Sequence, residues 1–81
     1  MRIRVLFFAS LADLTGTPEV PLDISARSTI GSVISELAAR FPGLSSYKGG
    51  ILSAINSEYA PLDAPLKDGD EVAFFPPVSG G

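Results

Sequence analysis

The spacing of apolar residues changes along this chain, and each change marks an element. RIRVLFFA, residues 2–9, is rich in β-branched and aromatic residues and predicts an opening strand. Gly16 and Pro18 break the pattern that follows, with Leu11 and Leu14 placed to form a single helical turn before them. In EVPLDI, residues 19–24, Val20, Leu22 and Ile24 share one face at a period of two, which predicts a second strand. Pro21 assigns that strand to an edge, because proline cannot donate to a neighbour on that side.

A helical period follows. Thr29 or Ser28 is a capping residue, and Ile30, Val33, Ile34, Leu37, Ala38 and Phe41 then recur with the spacing of one helix face. Pro42 and Gly43 end it. After a loop through Tyr47, Gly49 and Gly50, ILSAIN predicts a third strand. Asn56 and Ser57 predict a tight turn into a short strand over residues 58–60. Asp68, Gly69 and Asp70 predict another turn, and EVAFFP a last strand halted at Pro76. The order is strand, strand, helix, then two or three strands. One helix laid on one face of a mixed sheet buries both apolar surfaces most simply, which predicts an α+β roll of the β-grasp kind.

That architecture makes two dipeptides conspicuous. Successive strand residues point to opposite faces, so Phe7 and Phe8 cannot both meet the helix, and neither can Phe74 and Phe75. Each pair is expected to send one ring to the helix and one to the uncovered face. Loops shielding the second face would account for this. So would an apolar patch meant for another protein, and this second reading is the one favoured here.

Composition narrows the chemistry. Eighty-one residues make one domain, and 46% hydrophobic against 19% charged residues suit a packed core. There is no Cys and no His, which excludes disulfides, thiolate or imidazole metal sites, and Cys–His or Ser–His nucleophiles. A cysteine-free chain fits a reducing compartment, and the expected location is cytoplasmic. The apolar run of residues 5–9 is too short to span a bilayer, no secretory signal is evident, and Met1 leads directly into strand-like sequence without a transit segment. A net charge of −3 without a basic cluster argues against nucleic acid and fits a basic protein partner.

The acidic residues offer no site of their own. Asp68, Asp70 and Glu71 read as turn formers and solvated charge rather than as paired catalytic carboxylates, and the other acids lack metal-loop spacing. Gly49 and Gly50 lack the Lys-Ser/Thr of a phosphate-binding loop. What remains reactive is the carboxylate of Gly81. Pro76 and Pro77 favour a stiff, extended exit, Val78 is an apolar anchor, and Gly80 and Gly81 carry no Cβ. The six residues 76–81 reach about 20 Å when extended, at roughly 3.3 Å each. Such a tail is suited to entering a narrow site in another enzyme, where its carboxylate would be activated. The chain therefore divides into a globular part, residues 1–75, and a tail, residues 76–81.

VLFFASLADLTG near the start, PLKDGDEVAFFPPVSGG at the end, and the length between them resemble the ubiquitin-like β-grasp sulfur carriers of the MoaD type, the small subunits of molybdopterin synthase. The resemblance runs the whole length, although many members have an Arg-Glu pair where Ala12 and Asp13 stand. It implies that an ATP-using, E1-like enzyme adenylates Gly81 and that a sulfur donor then makes the thiocarboxylate. The tail would next insert into the large synthase subunit and give its sulfur to cyclic pyranopterin monophosphate, in molybdenum cofactor biosynthesis. It implies a heterotetramer of two small and two large subunits, with no cofactor bound by this chain. Phe75 matches the family's hydrophobic contact residue; Pro76, Pro77, Val78, Ser79, Gly80 and Gly81 match the inserted segment; and Phe7 lies in the matching opening motif. The alternatives are a related carrier for thiamine or tRNA thiolation, a ubiquitin-like protein modifier, and an interaction module with an inert tail.

Overall fold

The computed structural model describes residues 1–47 and 50–77. Strand β1, Arg2–Phe7, is followed by a short helix α1, Ser10–Thr15, and strand β2, Glu19–Asp23. Helix α2, Ile30–Arg40, leads into a 3-10 turn, Pro42–Tyr47, and then β3, Leu52–Ile55, β4, Glu58–Tyr59, and β5, Glu71–Phe75. The strands form a five-stranded mixed sheet in the order β2-β1-β5-β3-β4, with β1 and β5 parallel and the other pairs antiparallel. This is the expected β-grasp roll. Pro21 lies on the outer strand β2, as a residue without an N–H requires.

Helix α2 begins where its cap dictates. Thr29 Oγ1 accepts from the Ser32 backbone N–H at 3.3 Å, and Ser32 Oγ accepts from the Thr29 N–H at 2.8 Å, a reciprocal capping box. The next two N–H groups find acceptors outside the helix: Ile30 donates to Ala64 O and Gly31 to Leu62 O at 2.7 Å. A Cβ on Gly31 would stand 3.3 Å from that Leu62 oxygen, so the close approach of the loop favours glycine.

Ile30, Val33 and Leu37 are buried against Ile3, Val5 and Phe7 of β1, Leu22 of β2, and Val72 and Phe74 of β5. Phe7 is the centre of an aromatic group, edge-on to Phe41 at 6.1 Å and stacked near Phe74 at 6.4 Å. Leu37→Ala should cost about 2–5 kcal/mol, because a filled position would become a cavity.

Three boundaries differ from the sequence expectation. The first strand stops at Phe7 instead of continuing to residue 9, because Ala9 takes φ 50° and Phe8 O accepts the Leu11 N–H at 3.0 Å. The expected single helical turn is a six-residue helix closed by Gly16 in the left-handed region, φ 77°. The segment after Pro42 is a 3-10 turn rather than a plain loop, and its Gly43 packs so near Leu14 that a Cβ would meet Leu14 Cδ1 at 2.9 Å.

The loops around β5 are fastened by side chains. Asn56 and Ser57 both have positive φ, 50° and 74°, and make the two-residue turn between β3 and β4. Asn56 Nδ2 donates to Asp70 Oδ1 at 3.0 Å, the Lys67 N–H to Asp70 Oδ2 at 2.8 Å, and the Glu71 N–H to Asn56 Oδ1 at 3.0 Å. The Arg2 N–H donates to Asp68 Oδ1 at 2.8 Å. These contacts make Asp68 and Asp70 turn formers.

Two predictions follow from these contacts. Asp70→Ala removes the acceptor of two part-buried hydrogen bonds and should cost about 1–3 kcal/mol in urea denaturation. Asn56→Ala combined with it should cost less than the sum, since the two share a bond; full additivity would contradict the network. The second concerns Asp23, whose carboxylate takes hydrogen bonds from Arg2 at 2.9 and 3.3 Å. Hydrogen bonding, then charge attraction, holds that carboxyl below the usual carboxylate range. Its contribution is therefore present above the unfolded value and lost as pH falls through the lowered folded one. Both side chains are exposed, so the effect should be small and should weaken with salt. In an NMR titration the Asp23 midpoint should rise in Arg2→Gln; an unchanged midpoint would contradict the pairing.

Candidate functional site

The face of the sheet opposite α2 is built by strand parity and register. On β1 the residues alternate with the buried Ile3, Val5 and Phe7, which leaves Arg2, Arg4, Leu6 and then Phe8 on the other side. The parallel register sets Arg4 beside Glu71 and Leu6 beside Ala73. The antiparallel register sets Leu52 beside Phe75 and Ala54 beside both Ala73 and Tyr59. One face thus carries a polar half and an apolar half.

In the polar half, Arg4 reaches Glu19 of β2 at 3.5 Å and also pairs with Glu71 of β5, while Arg2 pairs with Asp23. The cations on this side are thus engaged by neighbouring carboxylates. In the apolar half, the ring of Phe8 stacks on Phe75, with centroids 4.7 Å apart and planes at 12°. Tyr59 tilts against Phe75 at 6.3 Å. Leu6, Phe8, Tyr59 and Phe75, with the polar Ser57 and Glu71 among the other lining residues, line a groove of about 280 Å³. Phe8 is 42% exposed and Tyr59 78%, so loops do not shield these rings.

The structure divides the sequence-predicted residues. Phe75 is half-buried at the end of β5, on the open face, with Pro76 half-buried and Pro77 exposed immediately after it. Phe7 requires a correction: it is 3% exposed, packed under α2 between Phe41 and Phe74, and cannot meet a partner. Its neighbour Phe8 holds the surface position. Phe74 is buried at 2%, so each Phe pair is split between the two faces as expected. Val78, Ser79, Gly80 and Gly81 lie outside the described residues.

The Phe7/Phe8 choice had a signal in the sequence. Arg2 and Arg4 must face water, and Phe8 shares their parity while Phe7 does not. Tyr59 had none, because its place beside Phe75 depends on how β3 aligns with both β4 and β5. Among the described residues, no three His, Cys, Asp or Glu side chains are grouped to hold a metal ion, and no helix is long and apolar enough to cross a membrane. The chemistry offered by this surface is apolar docking next to the departure point of the tail.

Comparison with known proteins places this arrangement in a family. The ThiS family model matches residues 5–81. The molybdopterin synthase sulfur carrier subunit of Escherichia coli is 42% identical over 81 residues, covering 98% of this chain and 99% of that protein. Small archaeal modifier protein 1 of H. volcanii superposes with a TM-score of 0.85 at 30% identity, over 95% of this chain and 98% of that one. A protein–protein complex of subunits 1 and 2 of the molybdopterin-converting factor from Helicobacter pylori contains a chain that matches at a TM-score of 0.67 and 26% identity, with both chains fully covered. With a family model matched across nearly its whole length and full-length relatives above 30% identity, the chain belongs to the ThiS family of β-grasp proteins.

Proposed function

We propose that this chain is the sulfur carrier of a molybdopterin synthase, docking on the large subunit through the Phe8–Tyr59–Phe75 face and delivering sulfur from Gly81. The observation that carries the reading is adjacency. The outward-facing stack of Phe8 on Phe75 ends at the residue from which Pro76 and Pro77 lead the chain away. A partner that covers the rings receives the tail at a fixed point of departure.

A carboxylate is a poor electrophile, so Gly81 needs activation. An E1-like enzyme uses ATP to convert the Gly81 carboxylate to an acyl-adenylate, releasing pyrophosphate; sulfide-level sulfur from a donor then displaces AMP and leaves the thiocarboxylate. Gly80 and Gly81, without Cβ atoms, suit the narrow sites of both enzymes. The sulfur then passes to cyclic pyranopterin monophosphate within the large subunit. This chain contributes the docking face and the reagent, and the large subunit contributes the catalytic side chains and the pterin pocket. The assembly is a heterotetramer of two small and two large subunits, in the cytoplasm. The name of the H. pylori complex and those of the full-length relatives support this reading.

The direct test is intact mass after incubation with ATP, the activating enzyme and a sulfur source. The expected change is that of one oxygen replaced by sulfur, and the product with large subunit should convert the pyranopterin precursor. Deletion of Gly81 should abolish transfer and leave folding unchanged. A precursor left unconverted by thiocarboxylated protein would refute the reading. The likeness to an archaeal modifier protein favours one other outcome, covalent ladders on other proteins without pterin product. For the docking face, Phe75→Asp should weaken large-subunit binding at least about tenfold, since burying one ring is worth about 1.5–3 kcal/mol. Unchanged affinity would place the interface elsewhere.

A further inference from the structure

We propose that Ala9 is a positioning residue of the docking face, holding the Phe8 ring in place through a strained backbone turn. This inference rests on the docking reading above. Phe8, Ala9, Ser10 and Leu11 form a tight turn closed by the Leu11 N–H donating to Phe8 O at 3.0 Å. Ala9 has φ 50° and ψ −128°. Those angles belong to the first central position of a type II′ turn, where glycine is favoured because a Cβ crowds the backbone.

An alanine in this conformation costs free energy that surrounding contacts must offset. Ala9 is exposed, so its methyl group gives no core packing in return. The contacts that hold the turn act on both Ala9, whose carbonyl accepts the Ala12 N–H at 3.0 Å at the start of α1, and Phe8. The Phe8 N–H donates to Phe74 O at 3.1 Å, its carbonyl closes the turn, and its ring lies on Phe75. Without a turn at this point the strand would run on, and Phe8 would leave the end of β1 in another direction. The turn thus fixes where β1 ends, and with it the height and angle at which the ring stands above the open face.

The exposed position makes substitution informative, because side chains at residue 9 act through the backbone. Ala9→Gly and a chemically synthesised chain with D-alanine at position 9 both accept positive φ. Both should raise thermal stability, keep the ring-current shifts of the Phe75 protons, and bind large subunit at least as tightly as the parent. Ala9→Val, β-branched at positive φ, should lower stability, alter the Phe75 shifts and weaken binding about tenfold, a loss of about 1.4 kcal/mol. In a Phe8→Ala background, Ala9→Val should have no further effect on affinity, which a merely structural role would not predict.

A folded Ala9→Val protein with parental shifts and affinity would overturn the proposal. So would a binding loss undiminished in the Phe8→Ala background, or a D-alanine chain less stable than the parent. Should Ala9→Val not fold, the D-alanine comparison decides. If Phe8→Ala alone leaves binding unchanged, the docking reading fails, while the Phe75 shifts still report whether Ala9 positions the ring.

Discussion

A strand has two faces, and among the described residues one helix of useful length, α2, lies against the sheet. Everything about the surface derives from that mismatch. Residues of one parity on β1 and β5 enter the core beneath α2, and those of the other parity are left facing outward. The paired phenylalanines show the constraint most clearly. Phe7 and Phe74 are core residues edge-on or stacked under the helix, while Phe8 and Phe75 stack on each other on the opposite side. Two aromatic layers back to back leave the outer one available for a second protein. Because β1 and β5 are parallel neighbours, the two outward-facing rings stand side by side at the same end of the sheet, where Pro76 and Pro77 leave it.

The open face also has an internal division that bears on recognition. Its β2 side is covered by ion pairs around Arg2 and Arg4, and its β3–β4 side is apolar. A partner meeting the apolar half gains burial without having to strip water from an unpaired arginine, since both are already engaged by carboxylates. The ion pairs themselves are exposed and contribute little to stability. Their consequence is to bound the apolar part of this face on its β2 side, next to Phe8 and Phe75.

Much of this was legible in the residues because the relevant signals are local. The period of two in residues 19–24, the helical spacing from Ile30 to Phe41, the cap at Thr29 and the turns at Asn56 and Asp68 each predict their element. What was not legible depended on geometry between distant segments. Phe8, not Phe7, is the surface ring, and parity with Arg2 and Arg4 would have decided it; the resemblance in the opening motif did not. Tyr59 required the register of three strands. The type II′ turn at Ala9 ran against the residue's preference, so propensity extended the strand two residues too far. The expectations for Val78, Ser79, Gly80 and Gly81 fall outside the described residues, and their proposed role rests on the proximity of the docking face and on family likeness.

Parity divides these rings into a core set, Phe7 and Phe74, and a proposed docking set, Phe8 and Phe75. Cross-saturation NMR tests this division, with protonated large subunit irradiated in complex with this chain, deuterated except at its aromatic rings and backbone amides. Intensity loss is expected at Phe8, Tyr59 and Phe75, with Phe7 and Phe74 unaffected. Loss centred on the outer surface of α2, with Phe8 and Phe75 unchanged, would contradict it.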